Sequence, residues 1–70
     1  MEKQYIVKEL ENVSERLRKE ADTIIRISME LVKGSLYDKM NAGIVRAKGE
    51  SLNGMVMQIG TISQLIKLER

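Results

Sequence analysis

Residues 51–66 form a run of sixteen positions without a charge, in a chain that is 31% charged overall. Leu52, Met55, Val56, Met57, Ile59, Ile62, Leu65 and Ile66 lie within it, separated only by Ser, Asn, Gly, Gln and Thr. A helix with one side in water normally carries charges on that side. A helix without them is surrounded by protein over most of its circumference. A chain of 70 residues cannot supply that much cover alone, so the run points to an oligomer.

The usual staples of so small a domain are missing. Without Cys there is no disulfide and no thiolate site; without His there is neither imidazole ligation nor histidine base chemistry. Phe, Trp and Pro are absent, only Tyr5 and Tyr37 are aromatic, and 43% of the chain is apolar. That balance fits an all-α bundle better than a small β fold. Charge is divided unevenly: residues 1–34 hold seven basic and seven acidic groups, residues 35–70 five and three, for a net +2. Nucleic-acid binders show a denser basic stripe. The uncharged run falls short of the roughly 20 residues of a membrane span. The first apolar residues alternate with Glu and Lys, so no signal peptide is read. A soluble, cytoplasmic protein is expected, with no membrane partner.

The first segment reads as one helix over residues 2–33. Ile6, Leu10, Val13, Leu17, Ile24, Ile27 and Leu31 step by four and three, with Glu20 the one polar member of the series. This is a heptad stripe, and Ile25, Met29 and Val32 widen it toward its end. On the other face, Glu15 with Lys19, Arg18 with Asp22, and Arg26 with Asp22 and Glu30 stand at ion-pair spacing. Gly34 and Ser35 punctuate the chain. Gly34 is suited to a left-handed helix end, and Ser35 with Asp38 resembles a capping box. A break that short between long helices implies an antiparallel hairpin.

The second helix is expected over residues 36–68, with an alternative break at Gly49–Glu50–Ser51. At about 100° per residue its core side collects Tyr37, Met40, Ile44, Met55, Ile59, Ile62 and Ile66. The opposite side collects Lys39, Ala42, Arg46, Gly49, Glu50, Asn53, Met57, Gly60 and Gln64. Gly43 and Gly54 are eleven apart, as are Gly49 and Gly60, so each pair lies along one line of the helix as notches for a neighbouring helix. The expected fold is therefore one domain: an antiparallel two-helix hairpin assembling into a homo-oligomeric bundle, most simply a dimeric four-helix bundle. Its subunit interface is assigned to Ile44, Leu52, Gly54, Met55, Ile59, Gly60, Ile62 and Ile66.

No catalytic constellation is present. Asp38, Glu50 and Glu69 are scattered, and nucleophilic, metal and phosphate-loop chemistries lack their parts. No catalytic residue, metal ligand or cofactor is assigned. Candidates for partner or ligand binding are Lys39, Arg46 and Lys48, a basic cluster that a two-fold dimer would double, and Asn53, Met57, Thr61 and Gln64. Uncharged amides among apolar neighbours demand partners, and Met adapts to varied surfaces.

Asn41-Ala42-Gly43-Ile44-Val45-Arg46-Ala47-Lys48-Gly49-Glu50, followed by residues 55–69, resembles a class of small helical proteins of phages and prophages. In that class an Ala-x-x-x-Ala-x-x-Gly-Glu segment precedes an apolar helix with a Lys/Leu/Glu tail. The spacing departs from that strict form at Gly43 and Ala47. The resemblance implies a non-enzymatic accessory protein that binds and inhibits or modulates a host protein. The hairpin is also similar in general shape to plasmid RNA-binding four-helix-bundle proteins. Two other readings stay open beside the first: a nucleic-acid-binding regulator, and a sponge for a nucleotide-like ligand with pockets between subunits.

Overall fold

A computed structural model describes residues 3–68; positions 2 and 69, the ends of the expected first helix and of the phage-like segment, lie outside them. Two helices, α1 (Lys3–Leu31) and α2 (Leu36–Leu68), pack against each other as a hairpin. The rod measures 55 × 14 × 13 Å, so it is two helices wide and has no third layer. α2 runs unbroken through Gly49.

The turn is built from both sides. At the end of α1 the hydrogen bonds tighten to three-residue steps, with Lys33 N donating to Glu30 O at 3.1 Å and Gly34 N to Leu31 O at 3.0 Å. The helix therefore ends at Leu31, two residues before the expected Lys33. At the start of α2, Asp38 N donates to Ser35 Oγ and Ser35 N to Asp38 Oδ2, each at 3.2 Å. This is the reciprocal capping box, with Asp in place of Glu. Gly34 does not take the expected left-handed conformation, as no glycine has positive φ. Its reason is space: a Cβ there would collide with the Asp38 carboxylate.

The seam between the helices runs along small residues seven apart. On α1 these are Val7, Ser14, Ala21 and Ser28; on α2 they are Ala42, Gly49, Val56 and Ser63. All are buried except Ser14, which is half-buried, and Ala21 is 0% exposed. Beside them stand the half-buried Leu10, Leu17, Ile24 and Leu31 of α1 and Val45, Leu52, Ile59 and Ile66 of α2. Small residues on one line let two backbones approach, while their larger neighbours fill the sides. The approach is close at Gly49. A Cβ at that position would stand 2.7 Å from Ile25 Cγ1 and 3.3 Å from the carbonyl oxygen of Ala21.

This seam is rotated from the one read in the sequence. On α1 the shift is small: the expected stripe stays half-buried apart from Ile27, but full burial falls one position along, on Val7, Ala21 and Ser28. On α2 it is roughly a quarter turn at 100° per residue. Of the expected core side only Ile59 and Ile66 are partly covered; Tyr37, Met40, Ile44, Met55 and Ile62 are exposed. Ala42 and Gly49, expected on the opposite side, are buried. The cause is that hydrophobicity favours large side chains, whereas this contact selects small ones.

Candidate functional site

One ion pair orients the whole surface. Glu11 of α1 and Lys67 of α2 meet at 3.1 Å across the hairpin. Both belong to register positions four residues after a seam residue, Val7 and Ser63 respectively, so they mark one flank of the seam. In an antiparallel pair the same register positions share a flank. This first flank therefore carries Glu11, Arg18, Lys39, Arg46 and Lys67, with Ile25, Val32, Asn53 and Gly60. The second flank holds the positions just before each seam residue: Ile6, Val13, Glu20 and Ile27 on α1, and Asn41, Lys48, Met55 and Ile62 on α2. One flank is charged. The other is mostly apolar.

Two grooves open beside the charged flank. The larger, about 690 Å³, lies at the open end of the hairpin and is lined in part by Lys3, Val7, Glu11, Ile66 and Lys67. The smaller, about 300 Å³, lies next to it between Ser14, Glu15, Ile59, Gly60, Ser63 and Gln64. Ser63 Oγ is buried without a hydrogen-bond partner. Among the described residues no group of three His, Cys, Asp or Glu converges that could hold a metal ion. No helix there is long and apolar enough to cross a membrane.

The structure separates several residues that the sequence seemed to group. Lys39 and Arg46 share the charged flank, and Arg46 Nε is held by Glu50 Oε1 at 3.2 Å. Lys48 lies on the opposite flank, so the three do not form one basic patch. Asn53 is half-buried, and Gln64 lines the smaller groove on the same side. Thr61 donates its hydroxyl to Met57 O at 3.2 Å, and the Met57 side chain is 75% exposed. On α1 the anticipated ion pairs are not closed. Arg26 instead donates to Thr23 Oγ1 at 3.5 Å, and Glu30 pairs with Lys33 at 3.5 Å.

Of the residues assigned to a subunit interface, Leu52, Ile59 and Ile66 belong to the seam within the chain. Ile44, Met55 and Ile62 are exposed. A Cβ at Gly54 or Gly60 would meet nothing within 4 Å. Sequence reasoning missed the Glu11–Lys67 pair and assigned the second flank's α1 members to the heptad stripe. The signal for both was the seven-residue spacing of small residues, Val-Ser-Ala-Ser on one helix and Ala-Gly-Val-Ser on the other.

The surface that most needs explanation is the outer side of α2. Tyr37, Met40, Ile44, Met55, Ile62 and Leu65 are all exposed there, along a helix whose residues 51–66 bear no charge. Compared with known proteins, the chain matches no family model, no curated protein and no solved structure.

Proposed function

We propose that this chain is a non-enzymatic binding protein that works as a homo-oligomer, most simply a dimeric four-helix bundle, and engages a host protein through the surface the assembly leaves open. The observation that carries the reading is the uncovered apolar side of α2. A folded monomer of 8.0 kDa exposes about 4,450 Å² by the usual scaling of area with mass. The hairpin exposes 5737 Å². The excess is on the order of 1,300 Å², more than the ~800 Å² that each partner contributes to a standard interface. The exposed side chains of Tyr37, Met40, Ile44, Met55 and Leu65 put apolar surface in that excess, and contiguous exposed apolar patches mark protein-binding surfaces.

The partner class rests on the likeness of residues 41–50 and 55–69 to phage and prophage accessory proteins, and the oligomer on the area. Lys39 and Arg46 stand apart from Lys48, which disfavours a nucleic-acid reading.

Light scattering at micromolar concentration tests assembly: a mass of at least two chains is expected, and a folded 8.0 kDa monomer would overturn the proposal. For the partner, retention of a host protein by the wild type, but not by Met57→Glu of unchanged oligomeric mass, is expected. Salt-sensitive retention of nucleic acid, or a small molecule released on denaturation, would replace the protein partner.

A further inference from the structure

We infer that the second copy docks on the mostly apolar flank, opposite the Glu11–Lys67 pair, so that Glu20 of each copy meets Lys48 of the other. The inference rests on the homo-oligomeric reading above and gives it a particular surface.

Among the described residues at the register positions of this flank, Glu20 and Lys48 are the only charged ones, and they are of opposite sign. Neither takes part in an ion pair within the described residues. Their heights along the rod also match. Glu20 directly precedes Ala21 and Lys48 directly precedes Gly49, and those two neighbours meet across the seam. At about 1.5 Å per residue, the two charges are within roughly 3 Å of the same level.

A closed dimer is isologous, so whatever one copy offers it must also receive. A two-fold axis along the rod keeps every height unchanged and sets α1 of one copy beside α2 of the other. Glu20 then faces the opposite Lys48, and Lys48 the opposite Glu20, at two equivalent places. Ile27 and Asn41 lie to one side of that level, Val13, Met55 and Ile62 to the other, so each charge pair is bordered mostly by apolar side chains. The other flank could not serve as well. It holds Arg18, Lys39 and Arg46, and its one acid, Glu11, is already engaged.

A charge-swap pair tests this. Glu20→Lys alone and Lys48→Glu alone each place like charges together twice in the dimer, and each is expected to self-associate at least about tenfold more weakly. Mixed in equal amounts, the two variants restore both pairs, so association returns and native mass spectrometry shows the heterodimer in excess. An intrachain role predicts no gain on mixing. Arg18→Glu, on the other flank, leaves association unchanged, and circular dichroism verifies that each variant keeps its helices. If the wild type is dimeric but mixing gives no preference, the flank is wrong and the homo-oligomeric reading survives. A monomeric wild type defeats both.

Discussion

Behind a common seam, the two helices turn different backs to the surroundings. α1 shows Lys8, Glu15, Arg16, Lys19, Asp22 and Arg26, all exposed, while α2 shows Tyr37, Met40, Ile44, Met55 and Leu65, equally exposed. Their inner lines are alike: four small residues at seven-residue intervals on each. Burying this seam therefore does not require the exposed apolar side chains on the back of α2. In the proposed assembly their surplus is what a second copy covers, whereas α1 turns a charged back to water.

The contrast breaks most directly at the seam. Gly49→Leu should raise intrinsic helix propensity, yet it forces a side chain against Ile25 and the Ala21 carbonyl. A loss of about 3 kcal/mol or more in thermal or urea unfolding is expected; an unchanged midpoint would mean that the helices do not meet there. Next in size, Ile44→Lys with Ile62→Lys should weaken association about 100-fold while helicity persists. The matched change on the other back, Lys19→Ala with Arg26→Ala, should move stability by no more than about 0.5 kcal/mol. Equal effects at the two backs would erase the distinction between them.

Smaller effects sharpen the seam itself. Ser63→Ala removes a buried hydroxyl that has no partner and should stabilise the fold by about 1 kcal/mol. Gly60→Ala, where the added Cβ meets nothing within the chain, should gain up to ~1 kcal/mol from helix propensity. A loss on Gly60→Ala, paired with a lower oligomeric mass, would place that glycine in the contact between copies. Smallest, Glu11→Gln should cost under ~1 kcal/mol, and the cost should shrink further in salt, because both partners of the Lys67 pair are half exposed.

Much of the fold was legible. Apolar spacing on α1, the Gly34–Ser35 punctuation and the Ser35–Asp38 cap together prescribe two helices and a tight reversal. The rotation of α2 was harder to read, for a physical reason. Ala42, Gly49 and Ser63 contribute almost nothing to a hydrophobic vector, while Ile44, Met55 and Ile62 dominate it, so the vector follows the outer side. Spacing alone, without weight for size, would have found the inner line. The site was legible only as an excess of apolar surface. Which flank the proposed dimer uses is read from the Glu11–Lys67 contact, between residues far apart in the chain.

Gly34 carries one more consequence. Its missing side chain leaves room for the acid that caps the following helix, so positions 34 and 38 cannot drift independently. In a lineage descended from this chain, a bulkier residue at 34 would be tolerated only after the acid at 38 had been shed, with the bend reinforced in some other way. Variation at the hairpin's tip should be inherited as a linked set.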